Sequence, residues 1–496
     1  MTGKHRTRTS AAHDSGAPVR LHSATGRWIV AGSVLGSGAV FLEGSVVNVA
    51  LPAIARDFEL GVEGLQWVVN GYLLTLSALM LLGGTLGDRF RRSRVFAVGC
   101  VAFAVASVGC ALAPSLPVLV ALRLLQGIAG SLLVPNSLAM LETAFRGDER
   151  GAAIGQWAGW SAVSTALGPL AGGWLVDAGS WRWVFASVVP FALGATWIAL
   201  RHAPAGEARA VSAAAGRVDY TGAALVTLGL AGVVAALIVG PTAGFGRPAV
   251  LAAGIGGVLC LVAFVLEERR LGRRGAHPLL PLEVFRSRQF TGANVMTLLI
   301  YAALNGLLFL LMPQIQNNLG YTALTAGAAL LPASAVMLAL SPVAGRVAGR
   351  IGPRLPMAIG ALVAAGAMLL FSRVGPGASY LSVVLPAAVV FGLGLGTLVA
   401  PLTAAVLGAV DEHEAGVASG INNAAARLAG LLAAAALPLA AGIGGTARLD
   451  GPEFGAGYVR AMWICAGLCA AGSVIALLTM QGSTAKSAVG RAKPGR

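Results

Sequence analysis

Stretches of about twenty apolar residues recur along almost the whole of this 496-residue chain, and that pattern removes most folds from consideration. A run of that length crosses a bilayer as a helix. Hydrocarbon offers no partner to a backbone amide or carbonyl, so the hydrogen bonds must close within the segment. Candidate spans fall near 28–51, 65–86, 95–113, 117–141, 153–176, 183–200, 219–240, 249–267, 290–312, 322–345, 356–373, 379–402, 417–442 and 459–480. Charged residues make up only 11% of the chain, against about 25% in ordinary soluble proteins. The fold class expected is an all-α polytopic membrane protein with fourteen transmembrane helices.

The basic residues set the orientation. With the N-terminus placed in the cytoplasm, 27 of the 35 Lys and Arg residues fall on the cytoplasmic side and six in outer loops, leaving Arg123 and Arg427 inside spans. The positive-inside rule then places both termini in the cytoplasm. A net charge of +15, spread over short loops facing anionic lipid, calls for no nucleic-acid partner. Residues 1–27 read as a disordered basic tail, and the span that follows is too long for a cleaved signal peptide. All five cysteines lie within spans and all six histidines in tails or loops. That argues against a disulfide framework and excludes an intramembrane histidine relay. Cys465 and Cys469 share a helix face at metal-ligand spacing, but no His or acid accompanies them in that span, so they read as packing residues. No metal and no cofactor are expected.

Glu43 stands apart. It lies in the uncharged run from Trp28 to Leu51, whereas the other acidic residues sit in loops or within a turn or so of a segment end. An ionisable group at membrane depth costs about 2.5–3.5 kcal/mol on insertion scales, so it seldom persists without a function. The expected function is carrying a proton across in exchange for another solute. Arg123 is the candidate partner: counted from the outer ends of their spans at 1.5 Å per residue, the two depths agree within about one turn. A carboxylate poised against a guanidinium can load a proton from one side and release it when water or a cationic substrate arrives. The alternative is a fixed ion pair pinning two helices. Guanidinium stays charged at physiological pH, so Arg123 can relay or sense but not titrate. Gln126 either extends the polar contact one turn on or packs between helices.

The chain also repeats itself. GTLGDRFRRSR (Gly84–Arg94) joins spans two and three, and GRVAGRIGPR (Gly345–Arg354) joins spans ten and eleven. Both loops link the second and third helices of a six-helix set. The plan is 6+2+6: a six-helix bundle over 28–201, an inserted helix pair over 218–268, a basic cytoplasmic connection over 269–289, a second bundle over 290–480 and a cytoplasmic tail over 481–496. Parallel six-helix repeats characterise one class of alternating-access carriers.

Several motifs extend the reading: FLEGSVVNVALP from Phe41, QWVVNGYLLTLSALMLLGGTLGDRF from Gln66, RLLQGIAG from Arg123, ALGPLAGGW ending at Trp174, WRWVF from Trp181, PLLPLEVFRSRQF from Pro278 and GVASGINNAAARLAG from Gly416. In this order, over roughly residues 28 to 480, the chain resembles the major facilitator superfamily, specifically its fourteen-helix drug:proton antiporter branch. The resemblance implies a major-facilitator-type fold and efflux of amphipathic drugs, antibiotics or secondary metabolites. It also implies a bacterial plasma-membrane location and a monomeric unit whose partners are a small-molecule substrate, protons and the lipid bilayer. An arginine-rich, alanine- and glycine-rich composition fits a high-GC bacterial genome.

The resemblance assigns Glu43, where the family usually has aspartate, and Arg123 to proton coupling. It makes Gly168, Pro169, Gly172 and Gly173 the antiporter motif, with Ser164 standing where a further glycine is common. The cytoplasmic latch falls on Gly84, Asp88, Arg89 and Arg94, with Arg91 where glycine is frequent. Small residues and a proline can equally give a packing kink. Asn422, Asn423 and Arg427, near the start of span thirteen, serve either substrate contact or helix–helix bonding. Asn48, Asn70, Tyr72, Gln126, Trp157, Tyr301, Asn305 and Gln316 are further cavity candidates. Trp160 joins them, although Trp near a span end is more often an interfacial anchor.

One deep carboxylate suggests one proton per cycle, with dications handled less well than monovalent cations or neutral compounds. The competing reading is a proton-coupled symporter importing a small metabolite, which the GPxxGG element disfavours. A receptor would need a cytoplasmic signalling domain, and the loops leave no room for one. An enzyme or ATP-driven pump would need a HExxH, GxSxG or P-loop constellation that this chain lacks.

Overall fold

The computed structural model describes residues 19–202, 219–276, 278–411 and 415–480, and no strand occurs among them. The first set of helices is α1 (Ala24–Asp57), α2 (Val62–Arg89), α3 (Arg92–Ala111), α4 (Leu116–Ala144), α5 (Gly147–Ala178) and α6 (Arg182–Arg201). A pair follows, α7 (Tyr220–Ala243) and α8 (Pro248–Arg273), and then a 3-10 turn at Leu282–Arg286. The second set is α9 (Arg288–Asn318), α10 (Ala323–Ile351), α11 (Arg354–Phe371), α12 (Tyr380–Leu407), α13 (Ala415–Ala440) and α14 (Pro452–Thr479). Two of these restart at a proline, which has no N–H to offer the preceding turn: α6 at Pro190 and α10 at Pro332.

Thirteen of these helices are long and apolar enough to cross a membrane. The exception is α5, in which glycine, serine, threonine and tryptophan displace aliphatic side chains. Helix α1 begins four residues before the expected span. Ser23 caps it by accepting from the Gly26 amide at 3.0 Å, and Leu21 is buried, so residues 19–27 are structured where a disordered tail was expected. Residues 1–18 and the tail from 481 lie outside the described residues. Helix α8 runs to Arg273, five residues into the expected connection.

Both sets pack by the same scheme. In the first, α1 lies on α5, α2 on α4, and α3 on α4 and α6; in the second, α9 lies on α13, α10 on α12, and α11 on α12 and α14. The repeated loops occupy matching places. Gly84 faces Pro135 of α4, and Gly345 faces Ala400 of α12, one residue before Pro401. The pair α7–α8 packs on itself and leans on α2 and α13. Close approach relies on small residues, as expected where the hydrophobic effect does not drive helices together.

The hydrogen bonds between the two sets, among the described residues, gather at the arginine-poor end of the molecule. Gln66 Nε2 donates to the carbonyls of Ala434 and Ala435 at 2.8 and 3.1 Å. Gln316 Nε2 donates to Val49 O at 2.9 Å. Asp177 accepts from the amides of Ala323 and Leu324 at 3.1 and 2.8 Å, capping α10. The Glu63 amide donates to Gly445 O at 2.9 Å.

Candidate functional site

Glu43 and Arg123 meet. Arg123 Nη1 donates to Glu43 Oε1 at 2.6 Å, and both side chains are essentially inaccessible. The same nitrogen donates to Gln126 Oε1 at 2.6 Å, and Arg123 Nε donates to Val68 O at 3.1 Å. Gln126 Nε2 passes the contact on to Ser107 Oγ at 2.8 Å. The Tyr72 ring lies 4.4 Å from Arg123 Cζ and Phe185 lies at 5.6 Å. The guanidinium is thus held by α1, α2 and α4 together, with aromatic faces sharing its charge. Glu43 Oε2 has no hydrogen-bond partner among the described residues. Breaking such a buried pair leaves an uncompensated charge, whereas changing the protonation of one member alters the local balance without removing a side chain.

Beside this cluster, between the two helix sets, is a cavity of about 350 Å³. Its polar wall includes Tyr301, Asn305, Asn422, Asn423 and Arg427, all from α9 and α13. Asn422 serves two purposes, since its Oδ1 also accepts from Thr297 Oγ1 at 2.7 Å across the α9–α13 contact. A small void lined by Asn48, Tyr72, Arg123, Asn305 and Arg427 adjoins it. Asn48 itself donates to Gly44 O at 3.3 Å.

Other expected residues lie elsewhere. Trp157 is off the cavity wall: its Nε1 donates to Ser37 Oγ at 2.6 Å and its ring packs edge-on against Phe41, filling the α1–α5 contact. Trp160 is 57% exposed. Gln316 belongs to the bonds between helix sets. Asn70 is buried with neither amide atom bonded among the described residues, and it lines none of these cavities.

The glycines of the GPxxGG element are contact points. A Cβ on Gly172 would stand 3.0 Å from Val46 O, and one on Gly168 would run into Ser45, so both press against α1 just beyond Glu43. Gly173 faces α10 instead, where a Cβ would lie 2.6 Å from Ala323 C and Leu324 Cα. The element therefore touches the Glu43 helix on one side and the second helix set on the other.

At the arginine-rich end, Asp88 pairs with Arg92 at 2.6 Å, and Arg92 Nη1 donates to Ala139 O at 3.0 Å, tying the α2–α3 turn to α4. Arg89 and Arg94 are exposed. Next to Gly84, Asn136 Nδ2 donates to Gly83 O at 2.9 Å. Arg92, Asn136, Ser107, Gln66 and Asp177 were not singled out from the sequence. Asn136 and Gln66 carried a signal, an amide inside an apolar helix; Ser107 carried none.

The model of the Major Facilitator Superfamily matches residues 34–434. Among the relatives, the puromycin resistance protein pur8 of Streptomyces alboniger is 37% identical over 405 residues, covering 80% of this chain and 78% of that protein. The tetracenomycin C resistance and export protein of Streptomyces glaucescens is 34% identical over 80% of this chain and 72% of its own length. In fold, the chain is similar to the crystal structure of a bacterial homologue of the human lysosomal transporter Spinster in an inward-facing, unoccupied conformation. That likeness has a TM-score of 0.65 at 15% identity, over 92% of this chain and 97% of the other. On the match to its family model and the extent of these relatives, the chain is a membrane transporter, not an enzyme, and belongs to the Major Facilitator Superfamily.

Proposed function

We propose that this protein exports amphipathic drugs, antibiotics or secondary metabolites in exchange for protons, with Glu43 as the proton carrier. The observation that carries the reading is the buried 2.6 Å pair of Glu43 and Arg123 beside a cavity between the two helix sets. Relatives named for puromycin resistance and for tetracenomycin C resistance and export support the direction of transport. With both termini in the cytoplasm, as the arginine bias favours, the hydrogen-bonded end faces outward and the molecule stands in a cytoplasm-facing state. The 6+2+6 organisation, a monomeric unit and a latch at Asp88 belong to the same reading.

In this cycle Glu43 receives a proton from outside while the cavity is empty. Protonation weakens its bond to Arg123, and substrate leaves in the opposite direction. The GPxxGG contacts of α5 lie between α1 and α10, where a change at Glu43 can reach the second helix set. One proton exchanged for a neutral molecule draws on about 1.4 kcal/mol per pH unit and about 2.3 kcal/mol per 100 mV.

The test is proton movement in energised inside-out vesicles challenged with a panel of amphipathic compounds, comparing the wild type with Glu43→Gln. The pH gradient is expected to collapse with some compounds in the wild type and with none in the variant. Collapse that survives the substitution would reduce Glu43 to a structural role. Proton flow in the same direction as the compound would replace antiport by symport.

A further inference from the structure

Among the described residues, the cavity holds one cation and no counter-ion. Arg427 stacks over Phe41, its Cζ 4.8 Å from the ring centroid, and makes no hydrogen bond or ion pair among the described residues. Among the described residues, no Asp, Glu, Lys or His contributes to the cavity wall. Glu43 is committed to Arg123, which also lines the small void that Arg427 borders. The cavity and the cluster beside it therefore carry, among the described residues, one carboxylate against two guanidiniums: an excess of one positive charge, or two when Glu43 is protonated. Inside a low-dielectric protein such an excess repels a cation and favours acceptor oxygens, and the guanidinium presents its donors in a planar fork. The surrounding wall is apolar and aromatic, with Phe41, Phe391, Leu304 and Met337 among its residues.

We infer that this cavity binds aromatic compounds bearing acceptor oxygens, uncharged or anionic, on Arg427, rejects cations, and exchanges the uncharged ones. The first two parts stand on the charge count and the apolar, aromatic wall. The third rests on the proton-exchange reading above. An anion on Arg427 and a proton on Glu43 favour each other's presence, whereas exchange requires one to leave before the other arrives. A neutral acceptor leaves that balance untouched. This narrows the sequence-based expectation, which admitted monovalent cations, because the guanidinium acts on a single charge as well as on two.

The experiment uses the full-length protein in lipid nanodiscs and three anthraquinones of one shape: the 2-carboxamide, the 2-carboxylate and the 2-(trimethylammonio)methyl derivative. Equilibrium dialysis is expected to rank the carboxylate tightest and the cation at least about tenfold weaker than the carboxamide, a charge-assisted hydrogen bond being the difference. Arg427→Gln should bring the three within about twofold of one another, and Arg427→Lys should keep the order while reporting that the fold survives. Cation binding equal to that of the carboxamide, or an order unmoved by Arg427→Gln, would overturn the inference. In inside-out vesicles the carboxamide should discharge the pH gradient and the carboxylate should block it. Discharge by the carboxylate would overturn the third part. If none of the three moves protons while the binding order holds, the exchange reading fails and the charge selection stands.

Discussion

The two helix sets share a packing plan and differ in their chemistry. In the first, α1 and α4 bury Glu43, Arg123 and Gln126 in a network that reaches α2 and α3. Their counterparts α9 and α12 hold no charged residue except Arg288 at the start of α9. The second set places its one deep charge on α13, at Arg427, and leaves it open to the cavity. The scaffold is shared, and the buried charges are not. One set holds a buried carboxylate against a guanidinium, and the other leaves a guanidinium on the cavity wall.

That division can be broken most severely at Arg123. Replacing it by Leu strands a buried carboxylate, with an expected loss of about 3–5 kcal/mol. Thermal unfolding of the purified protein would show it, and Glu43→Gln in the same chain should restore much of the stability without restoring exchange. A smaller effect is expected where the halves touch. Gly173→Leu puts a side chain into the Ala323–Leu324 backbone at a cost of about 1–3 kcal/mol, destabilising the closed end. Spin-label distances between α5 and α10 should lengthen, whereas Gly349→Leu, which meets nothing within 4 Å, should leave them unchanged. The mildest change sharpens the comparison by giving the second half an acid of its own. Asn305 lines the same void as Arg427 and faces Gly430, one turn along α13. Asn305→Asp should neutralise the cavity and raise affinity for the cationic anthraquinone about tenfold, measured by the same dialysis.

Hydropathy made most of the fold legible, and its signal is weakest at α5. That helix faces α1 and α10 closely enough to use glycine where others use leucine, so the composition that makes it a contact helix lowers its apolarity. Depth counting was enough to bring Glu43 opposite Arg123, because a helix converts residue number into height. Azimuth was the hidden coordinate. In a bilayer both the protein interior and the lipid are apolar, so periodicity does not report which way a side chain points. Trp157 was therefore a cavity candidate although it bonds Ser37, and Gln316 was one although it reaches a backbone carbonyl of the other half. Arg427, with Asn422 and Asn423, could be narrowed only to substrate contact or helix–helix bonding, since a charge facing lipid is too costly.

The way Arg123 is held determines which piece of the molecule protonation sets loose. Its guanidinium is moored to α2 through the Val68 carbonyl and to α4 through Gln126, and Ser107 on α3 steadies Gln126 in turn. On the proton-carrier role proposed for Glu43, uptake of a proton leaves those moorings in place and slackens the line to α1. The helix released is the one that presses on the glycines of α5 and receives Gln316 from the second half. On that proposal a chemical event at one oxygen becomes slack between α1 and α4, while Tyr72 and Trp157 still hold α1 at Val40 and Ser37.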